Sequence, residues 1–363
     1  MKTLSYFNAE YFRNNVTQIS ENTNLMTYLK MFSSIQEGAL DRTKSTNLPL
    51  NFEVKNRLTP LISPSPSYAD VCNDRAVQLL TDIEKNNVSL TVLWSGGVDS
   101  TTVLSSFLMN ASKSQMQNIN VLLNQNSIKE NPVFFKKHIL GKLNYISSYK
   151  FNEDMLVNSN SWFINGENNG QLYGEDISLG FSNQTSSIPT VATVESIKKL
   201  IKVDVSEDER TKLAAGLKFV LQKSANSIGI NLIFDHQYIY WVQLNFRIQG
   251  TNMRAVSFFR YGVKTNPSNI KSFFTHPKFD QWGMNRMMTD YFSPIYRKES
   301  KDYIFSFDRN QEYYDTKDKM NSGGVLNASR KSYPLLDNNY MPVDISKLHE
   351  YYNEKNSILS SIR

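Results

Sequence analysis

The chain has 363 residues, of which 40% are hydrophobic and 20% charged, as in an ordinary folded globular protein. A single cysteine, Cys72, excludes a disulfide scaffold, a CxxC redox pair and a zinc site made of several cysteines. The net charge of +6 is mild, so it permits nucleic-acid binding without requiring it.

The first 67 residues predict a partly helical extension that ends in a proline- and serine-rich linker. The stretch RLTPLISPSPSYAD places three prolines between Leu58 and Asp70, which forbids a helix there and favours extended backbone. The next stretch, YADVCNDRAVQLLTDIEKNN, has an apolar helical face, and Asn86 and Asn87 predict its end.

Strands and helices then alternate along the chain. Strands are predicted at Ser89–Trp94, at Ile119–Asn124, weakly at NYISSYK, and at Ser161–Gly166. Helices are predicted from the end of the first strand to about Ser112, from Pro132 with Asn131 as its cap, and over NEDMLVNS. This alternation predicts an α/β protein with a parallel sheet, in which ligands bind at the carboxyl ends of the strands.

From about Thr190 the pattern changes to helical periodicity. The stretches that carry it are VATVESIKKLIKV, DERTKLAAGLKFVLQKSA, DHQYIYWVQLNFRIQG and HPKFDQWGMNRMM. We therefore predict three parts: residues 1–67 as the extension, 68–185 as the α/β domain, and 186–363 as a mainly helical region. With no signal peptide and no apolar run of about 20 residues, the expected location is the cytoplasm, without membrane contact.

The turn after the first strand, Ser95-Gly96-Gly97-Val98-Asp99-Ser100, predicts an anion site. Glycines let the backbone approach a ligand closely, and the start of the following helix is electropositive. Ser95 and Ser100 can donate hydroxyl hydrogen bonds to phosphate, whereas Asp99 requires a cation beside it, for which Mg²⁺ is suited. The alternative is a plain strand–helix turn in which Asp99 is an N-terminal helix charge.

This turn resembles the SGGxDS signature of the PP-loop ATP pyrophosphatase superfamily. The resemblance implies an adenine nucleotide alpha-hydrolase-like (HUP) core, with ATP and Mg²⁺ as cofactors and cleavage of ATP between the α- and β-phosphates. FINGENNGQLYGED, Phe163–Asp176, resembles the second motif of the asparagine synthetase branch, with Gly166 and Glu167 matching. Gly170 stands where that branch has an Asp, and Met1 stands where its glutamine-hydrolysing domain has a nucleophilic cysteine.

The expected nucleotide-binding residues lie in the turn and at the ends of the neighbouring strands. They are Ser95, Gly96, Gly97, Asp99, Ser100, Thr101, Leu123, Asn124, Gly166 and Glu167, with Asp99 as the expected metal ligand. Asn124 and Ser127 either touch adenine or ribose or form a turn with a helix cap.

Two lysines and two arginines in the second half are further candidates for the site. The resemblance implies a lysine that neutralises the leaving pyrophosphate, for which Lys317 and Lys319 are the candidates, with a solvated charged stretch as the alternative. Arg247 and Arg254 either face the crevice or form the polar face of a helix.

The function expected from these residues is ATP-dependent adenylation of a small carboxylate or amide, which ammonia or an amine then attacks. The nitrogen comes from free ammonia, from an amine substrate or from a separate amidotransferase chain. Two alternatives remain open at this point. The same chemistry can act on a nucleotide, tRNA or DNA base, or the chain can be a catalytically weakened ATP-binding protein.

Overall fold

The protein has an α/β fold with a central parallel sheet and a mostly helical C-terminal region, as predicted. The computed structural model describes residues 2–15, 23–35, 39–148, 160–175, 189–262, 267–289, 296–318 and 333–353. The strands in these ranges are β1 (Leu4–Phe7), β2 (Ser89–Leu93), β3 (Ile119–Leu123), β4 (Asn144–Ser147), β5 (Ser161–Asn165), β6 (Ile270–Ser272) and β7 (Leu335–Asp337).

Helices of very different lengths connect and surround these strands. They are α1 (Ala9–Asn15), α2 (Thr23–Met31), α3 (Tyr68–Asn86), α4 (Val98–Asn110), α5 (Lys113–Met116), α6 (Gln125–Glu130), α7 (Pro132–Phe134), α8 (Asn169–Leu172), α9 (Val194–Lys198), α10 (Glu207–Asn226), α11 (Asp235–Trp241), α12 (Ile248–Gly262), α13 (Pro277–Thr289), α14 (Lys298–Asp308) and α15 (Gln311–Thr316). α9 to α13 confirm the helical stretches predicted after Thr190. None of the helices in the described ranges is both long and apolar enough to cross a lipid bilayer.

The central sheet has the strand order β4-β3-β2-β5-β6, with every neighbouring pair parallel. Four of these strands confirm the predicted ones, and β2 lies in the middle, with Leu90 and Val92 fully buried. The fifth strand, β6, comes from the part predicted as helical. It has only three residues, too few for a periodic pattern, and it forms because it pairs with β5.

Short-range signals position α3 and α7 as predicted. The Ser67 side chain accepts a hydrogen bond from the backbone N–H of Asp70 at the start of α3, and Asn87 ends the helix in the left-handed conformation. Asn131 caps α7, whose first residue is Pro132. The chain continues from α7 into a π-helical turn, and the helix predicted over NEDMLVNS lies outside the described residues.

A second, two-stranded sheet joins the N-terminal part to residues near the C-terminus. β1 pairs antiparallel with β7, although the first 67 residues were predicted to be only helix and linker. α1 and α2 confirm the helical part of that prediction, and residues 57–67 form no helix, as their prolines require. The domain boundaries at residues 67 and 185 stay predictions.

The end of α14 makes the stability of the fold sensitive to acid. The side chain of Asp308 is fully buried. It accepts a hydrogen bond from His138 at 2.8 Å and forms an ion pair with Lys137 at 3.3 Å. Burial acts to raise the pKa of Asp308, but these two partners outweigh it and hold the pKa below 3.8. The stabilisation is therefore complete above pH 3.8 and is lost as the pH falls through the lower, folded-state pKa.

We predict that Asp308→Asn flattens the loss of stability between pH 5 and pH 2, measured by urea unfolding. Asp344→Asn, at an exposed helix cap, serves as the comparison because the pKa of Asp344 is also lowered but its carboxylate is in solvent. If the free energy of unfolding of Asp308→Asn falls with acid as steeply as that of the wild type, Asp308 is not the source of the acid sensitivity.

Candidate functional site

The predicted anion site lies at the carboxyl edge of the sheet, between β2 and α4. Gly96 has φ +83°, a conformation that L side chains rarely adopt, and Gly97 is the residue before α4. Gly97 has no side chain with which to cap α4, so the N-cap residue does not take up the first N–H groups of the helix, the kind of groups that attract anions. The strand–loop–helix arrangement that the sequence predicted is therefore present.

Close packing beneath the turn explains why Gly96 must be glycine. A Cβ there would collide with the carbonyl oxygen of Ser127 and would lie 2.9 Å from the Cβ of Glu130. The Tyr313 hydroxyl donates to the Gly96 carbonyl at 3.0 Å. α6 and α15 thus hold the turn from two sides.

The two serine hydroxyls of the turn lie together. Ser95 Oγ and Ser100 Oγ are 3.0 Å apart, and Ser100 Oγ also accepts a hydrogen bond from the backbone N–H of Ser95. Ser95 Oγ accepts one from the N–H of Gly97 at 3.3 Å. The hydroxyls therefore shape the turn as well as presenting oxygen atoms beside the start of α4.

The end of β5 meets this turn, as the second motif predicted. A Cβ on Gly166 would lie 3.0 Å from the carbonyl carbon of Asp99 and 3.1 Å from the backbone nitrogen of Ser100. A side chain at this position would therefore have to push the two backbones slightly apart. Parallel pairing of β5 with β2 brings Gly166 and the turn to the same edge of the sheet.

Asp99 is paired with an arginine that was not predicted from the sequence. Its carboxylate forms an ion pair with Nη1 of Arg297 and accepts a hydrogen bond from the Asn169 amide at 2.8 Å. Arg297 also donates from Nε and Nη2 to Glu175 Oε2, at 3.0 and 2.8 Å. One guanidinium thus bridges two carboxylates.

A buried hydrogen-bond network holds Asn169 beside Asp99. The Tyr68 hydroxyl donates to the Asn169 side-chain oxygen at 2.9 Å and lies 2.7 Å from Ser300 Oγ. The Asn169 amide nitrogen is 3.1 Å from the same Ser300 oxygen. α3, α8 and α14 therefore jointly fix the orientation of Asp99.

Lys317 lies close to the turn, and Lys301 lies near Lys317. Lys317, a predicted candidate, donates to Glu130 Oε1 at 2.7 Å, and that carboxylate oxygen is 3.2 Å from where a Cβ of Gly97 would lie. Lys301 on α14 is only 3% exposed, and no carboxylate among the described residues is within ion-pairing distance of it. Burial lowers the pKa of Lys301. The carboxylates of Asp318 and Asp315 act to raise it, and the positive charge of nearby Lys317 acts to lower it.

Other predicted residues lie near the turn but have structural roles. Thr101 Oγ1 accepts a hydrogen bond from the Trp94 indole at 3.1 Å, and Leu123 is buried in the core. Asn124 and Ser127 form a reciprocal cap at the start of α6, which is the alternative stated for them. Contact of these residues with a nucleotide stays a prediction.

The remaining candidates form contacts with one another or with a neighbouring helix residue, or lie outside the residues that the structure describes. Glu167 forms an ion pair with Arg254 at 3.5 Å, and both side chains are more than two-fifths exposed. Arg247 on the π-helical turn before α12 donates to Gln243 at 3.3 Å. Lys319 lies outside the described residues.

The carboxylates at the turn do not fit a magnesium ion as they are arranged. Magnesium needs oxygen ligands with free lone pairs directed at one point. Instead, Oδ1 of Asp99 is taken up by the Arg297 guanidinium and the Asn169 amide, and both oxygens of Glu175 accept from the same guanidinium. Within the described ranges no three His, Cys, Asp or Glu side chains form a group that could hold a metal ion.

Four residues of this region were not predicted as site residues from the sequence: Arg297, Lys301, Glu175 and Asn169. Glu175 and Asn169 are in the second motif, and their polarity directly after a strand was the available signal. Arg297 and Lys301 had no such signal, because they are two of 40 basic residues and lie about 200 positions beyond the turn.

The parallel sheet is consistent with a Rossmann-like HUP core, which is the type of fold that the resemblance of the turn implies. Comparisons of this chain with protein-family models, with curated proteins and with solved structures found no match.

Proposed function

We propose that the protein is an ATP-dependent adenylating enzyme that releases AMP and pyrophosphate. Its substrate is a small carboxylate or amide, which is activated for attack by ammonia or an amine. The observation that carries this proposal is the glycine turn at the N-terminus of α4, with Gly97 as the residue before the helix and Lys317 near the turn through Glu130.

The N-terminus of α4 would bind the phosphates of ATP. Backbone N–H groups at a helix start attract anions, and the hydroxyls of Ser95 and Ser100 add donors there. Gly96 and Gly97 allow phosphate oxygens to approach the backbone. Position at the carboxyl edge of a parallel sheet, beside the central strand, is where such folds bind their ligands.

The reaction would run in two balanced steps. An oxygen of the substrate carboxylate attacks the α-phosphorus, the bond to the β-phosphate oxygen breaks, and pyrophosphate leaves with the electron pair. The amine nitrogen then attacks the carbonyl carbon, AMP leaves, and the nitrogen loses its proton. Lys301 and Lys317 would stabilise the negative charge that develops on the pyrophosphate. No step is assigned to Mg²⁺, since the carboxylates do not fit it.

The proposal is tested by following ATP in the presence of mixed carboxylic acids and ammonia or amines. AMP and pyrophosphate are the expected products, each dependent on the acid. Formation of ADP and phosphate would rule out this reaction. Tight ATP binding without AMP under every mixture would favour the catalytically weakened ATP-binding protein, a reading that the bridging of Asp99 by Arg297 supports.

We predict that Lys301→Met lowers kcat/KM for AMP formation on the order of a hundredfold, because it removes a buried cation near the leaving group. Lys298→Met is the matched control, as Lys298 lies on the same helix but is 45% exposed and pairs with Asp302. Equal activities of the two variants would remove Lys301 from the mechanism.

A further inference from the structure

Arg297 lies where a carboxylate in an anion-binding turn requires a positive charge. Asp99 is in the first turn of α4, where a bound phosphate would bring a second negative charge close to it. Nη1 of Arg297 pairs with Asp99, while Nε and Nη2 reach Glu175. A planar guanidinium can hold two carboxylates at once in this way because its five N–H groups point in fixed directions.

The backbone around Arg297 is arranged to keep the guanidinium at this point. Arg297 has φ +48°, in the left-handed region that residues other than glycine rarely adopt. Such a conformation persists only where surrounding contacts hold it, and it is often found at functional sites. The Arg297 side chain is 3% exposed, so it does not sample solvent as a surface arginine does.

Gly170 provides the space that the guanidinium occupies. A Cβ at this position would lie 2.9 Å from Nη2 of Arg297 and 3.5 Å from Oε2 of Glu175. Moving Nη2 away from such a Cβ would disturb its hydrogen bond to Glu175. Glycine at 170, in place of the expected Asp, is therefore matched to Arg297.

The charge on Arg297 is maintained at neutral pH. Burial lowers its pKa to about 10, with Tyr68 and Tyr313 acting to raise it, so the group remains protonated at pH 7. A divalent ion entering between Asp99 and Glu175 would have to expel this cation from a buried position. The two carboxylates would then have to exchange three charge-assisted hydrogen bonds for metal coordination.

We propose that Arg297 is the permanent cation of the turn, so that Asp99 and Glu175 hold this guanidinium in place of a divalent metal ion. The inference rests on the proposed function only in taking the anion at the turn to be a phosphate. Any metal that accompanies ATP is then ligated by the phosphates and not by Asp99 or Glu175.

The first experiment uses Mn²⁺ alone, without nucleotide, and measures its binding by the loss of the aqueous electron paramagnetic resonance signal. We expect no saturable site in the wild type at millimolar Mn²⁺. Arg297→Gln should create one, because two carboxylates then face each other, and Arg297→Gln/Glu175→Gln should lose it again. If the wild type binds Mn²⁺ at a saturable site and Asp99→Asn abolishes this binding, the proposal is overturned. No variant at Arg297 is needed for that result.

The second experiment measures ATP binding by calorimetry in EDTA and in Mg²⁺. In EDTA we expect the wild type to bind ATP, and Arg297→Gln to bind it about tenfold more weakly, equivalent to about 1.4 kcal/mol. Arg286→Gln is the matched control, since Arg286 is similarly buried but pairs with Glu299. An unchanged affinity of Arg297→Gln in EDTA would contradict the proposal.

The two experiments separate the two proposals. If the wild type binds no ATP in either buffer, the proposed function fails, and the Mn²⁺ titration still decides whether Arg297 occupies the metal position. Thermal unfolding of each variant shows whether it is folded. The measurements on the wild type need no substitution, so an unfolded variant would leave them decisive.

Discussion

Asp280→Ala is expected to lower the free energy of unfolding by about 3–5 kcal/mol, because it leaves a buried charge without its partner. Arg42 donates to both carboxylate oxygens of Asp280, at 2.9 and 2.6 Å, and both side chains are almost completely buried. Arg42 also donates to the carbonyls of Asn56 and Leu244. The pair therefore joins the segment before α3 to α13 and to the π-helical turn before α12.

Urea unfolding at neutral pH measures this effect. Asp208→Ala is the matched control, as Asp208 pairs with Lys212 on the surface of α10 and both side chains are mostly exposed. Surface pairs contribute about 0–1 kcal/mol, so little change is expected there. A loss below about 1 kcal/mol for Asp280→Ala would show that water or a rearranged partner replaces the carboxylate.

Gly96→Ala is expected to abolish ATP binding and to destabilise the fold by about 1–3 kcal/mol. Alanine at this position would have to adopt φ +83°. Its Cβ would also collide with a backbone carbonyl, which cannot move aside as a side chain can. The turn would have to shift away from Ser127, and its N–H groups would no longer converge at the start of α4. ATP affinity in calorimetry and the midpoint of urea unfolding report the two effects separately.

Gly141→Ala separates backbone strain from the collision. Gly141 has φ +71°, close to that of Gly96, but a Cβ there would meet nothing within 4 Å. It should therefore cost only the strain, and ATP binding should not change. If Gly96→Ala binds ATP as tightly as Gly141→Ala does, the turn does not hold the phosphates.

Local features of this protein were readable from its sequence. The turn Ser95–Ser100, the cap at Asn131 and the end of α3 at Asn87 each depend on hydrogen bonds and backbone angles within a few residues. The four longer strands of the central sheet were readable because buried β-residues cluster along the chain. These signals do not depend on how distant segments pack.

Short strands and the partners of charged residues were not readable. β6 is three residues long, and its pairing with β5 joins Asn165 to Ser272 across more than a hundred positions. β1 likewise forms only because β7 lies beside it. An isolated segment of this length has no stable strand conformation, so its propensity carries no usable signal.

The sequence by itself therefore determined the turn, the type of sheet and the edge of the sheet at which the turn lies. It also showed that Gly170 replaces an expected carboxylate, but this looked like a lost metal ligand. Only the tertiary structure decided that Gly170 adjoins the guanidinium of Arg297, and that this guanidinium is paired with Asp99. The physical reason is that charges pair according to distance in space, whereas Arg297 and Asp99 are separated by about 200 positions in the chain.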